Sequence, residues 1–281
     1  MLPVVSTLVT TPKCINRLNL VIKNINVSCA IEAAYAAGDA IMHVYNSADF
    51  GVELKSDESP LTIADTRAHR LIVDHLQETN IPVLSEEGDD IPYATRSKWT
   101  LFWMVDPLDG TKEFIKQNGE FTVNIALIEN NNPILGVIFV PAKSTLYFAQ
   151  KEYGSFSLHT SVKLNSLDEA KKITVTKQSN IVRVIGSRSH SNNTFTNWIN
   201  EKFPNAEIVQ SGSSLKFCLI AKGEADIYPR FGPTSEWDIA AGHIILNEAG
   251  GKILTLDNKE IIYNEKESVL NPEFIASNNT I

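Results

Sequence analysis

The chain has 281 residues, of which 43% are hydrophobic, with 14 glycines and 12 prolines. This composition is typical of a globular protein and excludes a disordered or fibrous one. The formal net charge of −8 argues against broad binding to nucleic acids or acidic membranes. The three cysteines, Cys14, Cys29 and Cys218, lack metal-ligand spacing and indicate thiols in a reducing compartment.

We expect no signal peptide in the first 27 residues. Prolines and basic residues interrupt this mildly apolar stretch, and it lacks the order of segments that defines a signal peptide. No stretch of the chain reaches the roughly 18 apolar residues needed to cross a bilayer. We expect residues 1–27 to be an extension of unknown role. The expected location is cytoplasmic, with peripheral attachment to the cytoplasmic face of the inner membrane left open.

The segment from residue 28 to residue 88 is predicted to contain two helices, each followed by a short strand. Helical periodicity covers 28–45 and 61–78, with Ser59 or Thr62 as the N-cap of the second helix. Residues 50–54 and the run that starts at Ile81 are strand-like. The second strand ends at the acidic pair Glu86 and Glu87.

The most informative segment follows the apolar run 101–105, which predicts a buried strand. We expect this strand to stop at Asp106, because Pro107 has no N–H to donate to a ladder. Asp109 and Gly110 are typical of a tight turn. Two carboxylates, the Leu108 carbonyl and a hydroxyl would therefore crowd together, and such carboxylates repel unless a cation neutralises them.

The remaining elements predict an α/β fold of the α+β kind. Residues 120–129 and 134–140 alternate as a β-hairpin, and 145–150 adds a strand. We expect a metal-binding lobe over 28–172, with a large, mainly antiparallel sheet, and a smaller α/β substrate lobe over 173–281. In that second lobe, a polar turn at 212–214 precedes a helix, where its amides suit an anion. Residues 237–250 predict an amphipathic helix that ends at glycine.

Several oxygen donors at element ends make a hard-metal site the leading interpretation. They are Glu86, Asp106, the Leu108 carbonyl, Asp109 and Asp238. All-oxygen ligands select Mg²⁺, Mn²⁺ or Ca²⁺, and cations about 4 Å apart are a common device for phosphoryl hydrolysis. The alternative is an acidic rim with a structural role.

Two further residues fit the same chemistry. Thr111 and Asp65 could orient an attacking water as a hydroxyl–carboxylate relay. A purely structural alternative stands beside this one, because Asp65 and Asp238 each lie in the first turn of a predicted helix and could simply complement its dipole.

Two signatures support this interpretation by resemblance. The hexapeptide Asp106-Pro-Leu-Asp-Gly-Thr111 resembles the DP(I/L)DGT signature of the inositol monophosphatase superfamily. Residues 237–243 and 248–251 resemble its second signature, and Ser85-Glu86-Glu87 lies at the matching upstream position. The resemblance covers about residues 28 to 277. It implies a layered α-β-α-β-α sandwich of the inositol monophosphatase and fructose bisphosphatase type.

Within that superfamily the chain resembles the 3'(2'),5'-bisphosphate nucleotidases of the CysQ type. The segments behind this resemblance are 55–65, 186–190, 212–216 and 232–238. It implies Mg²⁺-dependent removal of the 3'-phosphate of adenosine 3',5'-bisphosphate to give AMP, inhibition by Li⁺ and a role in sulfur metabolism. The implied partner is a small nucleotide and no nucleic acid, and the implied assembly is a monomer or homodimer.

The resemblance also implies a role for each matching residue. Glu86 and Asp106 with the Leu108 carbonyl would hold one Mg²⁺, Asp106, Asp109 and Asp238 a second, and Glu86 a weaker third. Asp65 and Thr111 would activate the water. The substrate-binding residues would be Gly110, Thr111, Ser213, Lys216, Arg188, His190 and Arg230, together with Glu86 and Asp238.

Simpler explanations exist for several of these positions. Lys216 could extend to solvent from an apolar helix, Arg230 could be a surface charge and His190 could cap a helix. Glu236 could bind a substrate hydroxyl or serve as a helix-start acid. At the level of function, the alternatives are an inositol monophosphatase or fructose-1,6-bisphosphatase-like sugar phosphatase, and a non-catalytic relative that binds nucleotide or metal.

Overall fold

The computed structural model describes residues 25–47, 50–54, 60–159, 167, 169–177, 181–187 and 193–280. The helices are α1 Ile25–Tyr45, α2 Ile63–Leu76, α3 Tyr93–Arg96, α4 Thr111–Ile115, α5 Asn193–Lys202, α6 Leu215–Ala221 and α7 Glu236–Glu248. The strands are β1 Glu53–Leu54, β2 Pro60–Leu61, β3 Val83–Ser85, β4 Leu101–Asp109, β5 Thr122–Glu129, β6 Asn132–Val140, β7 Thr145–Gln150, β8 Gly154–His159, β9 Lys171–Ile173, β10 Arg183–Ser187, β11 Glu207–Ser211, β12 Ile227–Arg230, β13 Lys252–Thr255 and β14 Phe274–Ser277. Single 3₁₀ turns cover Gln77–Thr79 and Pro141–Lys143.

Two large sheets organise the described residues. The first has seven strands in the order β3-β4-β5-β6-β7-β8-β9, in which β3 and β4 are parallel and the other pairs antiparallel. The second has five strands in the order β11-β10-β12-β14-β13, with parallel and antiparallel pairs. The predicted mixed α+β fold and the hairpin of β5 and β6 are confirmed.

Helices cover both sheets and fill the space between them. Helices α1 and α2 pack together on one face of the seven-stranded sheet, in a core that includes Ile31, Ile72 and Trp103. Helices α6 and α7 share a second core with residues of both sheets, and α5 packs on the outer face of the five-stranded sheet. This is the predicted α-β-α-β-α sandwich. The division into lobes at residues 172 and 173 stays a prediction, and β9 of the large sheet crosses that boundary.

Helix α7 is the buried centre of the fold. The prediction that it is amphipathic is wrong, because every residue from Ile239 to Leu246 is buried between the two sheets. Its close approach to β6 requires a glycine, since a Cβ at Gly136 would lie 2.6 Å from the Ala241 carbonyl oxygen. The seven-stranded sheet therefore fixes the position of α7, whose first turn contains Asp238.

Other differences from the sequence-based expectations are local. Helix α1 begins at Ile25, inside the predicted extension 1–27, of which residues 1–24 lie outside the described residues. The predicted strand 50–54 contributes only β1, which pairs with β2. Among the helices that the structure describes, we find none with the length and apolar character to span a bilayer.

The buried His243 on α7 makes stability depend on pH. Burial lowers the pKa of its imidazole to about 4, below the ordinary 6.5, and its Nδ1 lies 2.8 Å from the Tyr263 hydroxyl. The unfolded chain thus takes up a proton below pH 6.5 that the folded chain resists, so the free energy of unfolding falls as the pH drops from 6.5 towards 4, by about 3 kcal/mol.

We expect His243→Gln to remove this contribution, because glutamine has no group that titrates in that window. Chemical denaturation of both proteins at about pH 7 and about pH 4.5 measures it. The wild-type protein should lose about 2 kcal/mol more than the variant between the two conditions, since pH 4.5 still lies above the folded pKa of about 4. An equal loss in both proteins would show that His243 does not resist protonation.

Candidate active site

A bulge in β4 turns two carboxylates to the same face of the sheet. The prediction that the strand stops at Asp106 is wrong: β4 continues through Pro107, with Asp106 opposite Asn124 and Asp109 opposite Thr122. Asn124 and Thr122 are two positions apart on β5 and therefore lie on the same face of the sheet. The extra residue of the bulge places their partners Asp106 and Asp109, three positions apart on β4, on one face as well. The turn that the sequence predicts at Gly110 follows directly, with φ at +92°.

Glu86 and Asp238 join Asp106 from distant parts of the chain. Each of the three carboxylates offers an oxygen that lies within 4.8 Å of the others. Glu86 arrives there because β3 runs parallel to β4, and its N–H donates to the Val105 carbonyl at 3.0 Å. Asp238 lies in the first turn of α7, where its Oδ2 accepts from the Ser235 N–H at 2.7 Å in a capping box.

The electrostatics of this cluster favour a cation. Burial raises the pKa of Asp106 well above its usual value, and the neighbouring Glu86, Asp109 and Asp238 raise it further. Burial followed by the charge of Asp109 does the same to the pKa of Asp238. A site whose ligands are all carboxylate oxygens fits a hard divalent cation, which would neutralise their mutual repulsion.

Asp109 is held by the start of α6. Its Oδ2 accepts from the Ser214 N–H at 2.6 Å and from the Ser214 hydroxyl at 2.7 Å. The Gly212 N–H donates to Glu120 Oε2 at 2.9 Å. The interpretation of these amides as a site for an external anion is therefore corrected, because two of them bind carboxylates of the chain itself.

Asp65 and Thr111 lie side by side. Asp65 Oδ2 closes the capping box of α2 by accepting from the Thr62 N–H at 2.7 Å, which confirms Thr62 as the N-cap. Its Oδ1 accepts from the Thr111 hydroxyl at 3.3 Å, and that hydroxyl also lies 3.3 Å from the Leu108 carbonyl. Burial raises the pKa of Asp65 to about 6. The structural and the chemical explanations of Asp65 hold together, since each uses a different oxygen.

Most predicted site residues line one cavity of about 260 Å³. They are Glu86, Asp109, Gly110, Thr111, Ser213, Lys216, Arg230 and Asp238. Asp106 does not line the cavity, but its carboxylate lies in the cluster with Glu86 and Asp238. Asp65 and the Leu108 carbonyl adjoin the cavity because both lie within hydrogen-bonding distance of the Thr111 hydroxyl. Arg188 and His190 lie outside the described residues.

Two of the cationic side chains that line the cavity, Lys216 and Arg230, are placed differently from the simpler explanations that the sequence allows. Lys216 does not extend to solvent: it is 7% exposed, and its Nζ lies 5.3 Å from the centre of the Tyr228 ring. Burial lowers the pKa of Lys216 to about 8, against the opposing effect of Asp109. Arg230 is half-buried and donates to the Gly232 and Pro233 carbonyls. Both side chains therefore belong to the wall of the cavity.

Sequence reasoning missed Lys112, Glu113 and Tyr228, which line the cavity, and Glu120, which holds its edge. It named the Ser214 amide as suited to an anion but did not identify Asp109 as the group that this amide binds. Nothing local in the sequence indicates Tyr228. Glu236 does not line the cavity, because its carboxylate accepts from the Asn264 N–H and from Lys266.

Almost the whole of the described chain matches a known protein family. The model of the inositol monophosphatase family matches residues 26–280, so the chain belongs to that family.

Among curated relatives, the chain is 45% identical to the 3'(2'),5'-bisphosphate nucleotidase CysQ of Salmonella typhimurium, over 86% of this chain and 96% of the relative. It is 43% identical to the nucleotidase of the same name in Escherichia coli K12, over 88% of this chain and 97% of the relative.

Solved structures agree with this family. The crystal structure of CysQ from Bacteroides thetaiotaomicron is similar, with a TM-score of 0.81 and 44% identity, over 90% of this chain and 96% of that one. The inositol monophosphatase TM1415 of Thermotoga maritima has a TM-score of 0.73 and 26% identity, over 91% of this chain and 93% of that one.

Asp106→Asn should stabilise the protein without divalent cations and make it insensitive to them. The amide keeps the oxygen that accepts from the Leu108 N–H and removes one buried charge from a group of mutually repelling carboxylates. We expect a melting temperature a few degrees higher in EDTA, equivalent to about 1 kcal/mol or more, and little further rise with Mg²⁺, whereas the wild type should rise.

Thermal unfolding at about pH 7.5 with and without Mg²⁺ measures both effects. Asp74→Asn, at an exposed carboxylate of α2, is the matched control and should behave like the wild type. A destabilised Asp106→Asn protein, or one that keeps the full response to Mg²⁺, would contradict the assignment of this cluster to a cation.

Proposed function

We propose that the chain is a divalent-cation-dependent phosphatase that removes the 3'-phosphate of adenosine 3',5'-bisphosphate, giving AMP and phosphate. The observation that carries this proposal is the carboxylate cluster at the edge of the cavity: oxygens of Glu86, Asp106 and Asp238 lie within 4.8 Å of one another, and the cavity lining also includes Thr111, which bonds to Asp65. The identity to nucleotidases named CysQ over most of both chains supports the choice of substrate.

The proposed metal ligands are those that the carboxylate cluster offers. Glu86, Asp106 and the Leu108 carbonyl would hold one Mg²⁺, and Asp106, Asp109 and Asp238 a second, with Glu86 contributing to a third. A hard divalent cation supplies Lewis acidity, which promotes ionisation of water and neutralises charge on phosphate oxygens. The negative charge of the site makes such cations necessary, since a phosphate ester would otherwise be repelled.

Asp65 and Thr111 are proposed to position the attacking water and accept its proton. The Thr111 hydroxyl donates to Asp65 Oδ1, so its free lone pair can accept a hydrogen bond from water. Asp65 has a pKa of about 6 and is therefore mostly ionised at neutral pH, as a proton acceptor must be. The same carboxylate cannot rotate freely, because Thr62 holds its other oxygen.

The second phosphate of the substrate needs positive charge away from the metals. Lys216 and Arg230 line the cavity and supply it, and Ser213 adds a hydroxyl on the same wall. The Gly110 and Thr111 amides are proposed to contact the scissile phosphate. A side chain at Gly110 would be strained, because its φ is +92° and a Cβ there would lie 3.1 Å from the Glu120 carbonyl oxygen and 3.2 Å from Ser213 Cβ. Arg188 and His190 stay candidates from the sequence.

Three further points stay predictions. They are the division into a metal-binding lobe 28–172 and a substrate lobe 173–281, the oligomeric state of monomer or homodimer, and the cytoplasmic location. Attachment to the inner membrane gains no support from the described residues.

A panel of phosphate esters tests the substrate. With Mg²⁺ present, we expect adenosine 3',5'-bisphosphate to be hydrolysed with a kcat/KM at least about 100-fold above those of inositol 1-phosphate and fructose 1,6-bisphosphate, because the latter compounds lack the adenosine group. Phosphate release and AMP formation are measured together. A preference for the inositol ester would instead support an inositol monophosphatase, and no turnover of any ester would support a non-catalytic relative.

Thr111→Val tests the chemistry. The variant keeps the shape of the side chain and removes the hydroxyl that contacts Asp65, so kcat should fall by roughly 100-fold or more while Mg²⁺ still raises the melting temperature. Thr66→Val, at an exposed threonine of α2, is the control and should keep the wild-type rate. A Thr111→Val enzyme with undiminished kcat would remove the hydroxyl from the mechanism.

A further inference from the structure

Glu86 is the carboxylate of the cluster with the least support from its own secondary structure. It follows β3, a strand of three residues at the edge of the seven-stranded sheet. Its N–H donates to the Val105 carbonyl at 3.0 Å, and the chain then turns back, with the Gly88 N–H donating to the Ser85 carbonyl at 3.1 Å. An edge strand this short, followed at once by a turn, is a weak anchor for a charged side chain.

A histidine of α2 contacts this turn from outside the sheet. His69 Nδ1 lies 2.9 Å from the Ser85 hydroxyl oxygen, a hydrogen bond to a residue that is only 8% exposed. The imidazole also packs against the turn, since a Cβ at Gly88 would lie 3.5 Å from His69 Cε1. The bond therefore joins the residue before Glu86 to a helix that packs on both β3 and β4.

The same helix carries the other half of the chemistry. His69 follows Asp65 by four positions, so the two side chains lie on one face of α2, one turn apart. Asp65 faces Thr111, and His69 faces Ser85. Helix α2 thus carries Asp65 of the water-activating pair and also contacts the end of β3 that presents Glu86.

Repulsion makes this contact important before any cation binds. Glu86 has an oxygen within 4.8 Å of oxygens of Asp106 and Asp238, and its charge raises the pKa of both. A carboxylate on a weakly anchored turn lowers its energy by moving away from such neighbours. A cation that binds afterwards must then bring it back, and that reordering weakens affinity.

We propose that His69 is a positioning residue of the metal site: through its hydrogen bond to Ser85 it holds Glu86 in place to receive a divalent cation. This inference rests on the proposed function, because it takes Glu86 to be a metal ligand. Contacts that orient ligands typically contribute 10- to 100-fold to metal affinity. His69 is a member neither of the carboxylate cluster nor of the cavity lining, so its effect should be on cation binding rather than on the chemical step.

Calorimetric titration of the full chain with Mn²⁺ alone, without substrate, tests the proposal. His69→Leu and Ser85→Ala should each weaken Mn²⁺ binding by about 10-fold or more, and the double variant should lose no more than either single one, since both remove the same bond. His69→Asn, whose side-chain amide can still reach Ser85, should recover most of the affinity. His75→Leu is the matched control, because the His75 imidazole bonds to the Leu71 carbonyl of its own helix, and this variant should bind Mn²⁺ like the wild type.

The outcomes separate the inference from the function on which it rests. Wild-type affinity in His69→Leu and Ser85→Ala, or losses that add in the double variant, would overturn the role of His69 and leave the metal site intact. A wild-type chain that binds no Mn²⁺ would overturn both. If His69→Leu does not fold, as judged by circular dichroism, Ser85→Ala and His69→Asn carry the test, and equal wild-type affinity in both would then overturn the inference.

Discussion

Mutual repulsion among a buried carboxylate and two half-buried ones is the constraint on which this structure depends. Glu86, Asp106 and Asp238 come from an edge strand, a central strand and the first turn of a buried helix, yet their oxygens lie within 4.8 Å of one another. Like charges in a buried setting raise one another's pKa and destabilise the fold. The cation-free protein is therefore less stable than it would be without this cluster, and a divalent cation that binds there relieves the repulsion. Lower stability without the cation thus accompanies higher affinity for it.

The fold holds several acids of the site in place by a hydrogen bond to one carboxylate oxygen, which leaves the other oxygen to face the site. Asp65 and Asp238 occupy equivalent positions in the capping boxes of α2 and α7, where Oδ2 accepts from the backbone of Thr62 and Ser235 respectively. Asp109 is held by Ser214 in a comparable way. A capping box stabilises a helix by itself, and here it also orients an acid to which we assign a role in the proposed mechanism. The structural and chemical explanations of these acids are therefore complementary.

The sequence predicted the part of the site whose residues lie next to one another in the chain. The run from Asp106 to Thr111 identified two carboxylates, a carbonyl and a hydroxyl, because turn and strand residues constrain one another over a few positions. The same reasoning failed at Pro107, since the bulge that keeps β4 paired with β5 is a property of two strands. The place of Lys216 was also beyond local reasoning. Its apolar neighbours indicated a core helix correctly, but only the packing of α6 beside Asp109 and Tyr228 decides that the amine faces a cavity.

The central claim, that these distant carboxylates share divalent cations, is tested most directly by crystals grown with Mn²⁺ and measured for anomalous scattering. The account predicts two strong anomalous peaks about 4 Å apart, each within about 2.5 Å of oxygens of Asp106, with Glu86 on one side and Asp109 and Asp238 on the other. A third, weaker peak beside Glu86 agrees with the account. No peak among these carboxylates, or peaks of which none lies within this distance of Asp106, would contradict it.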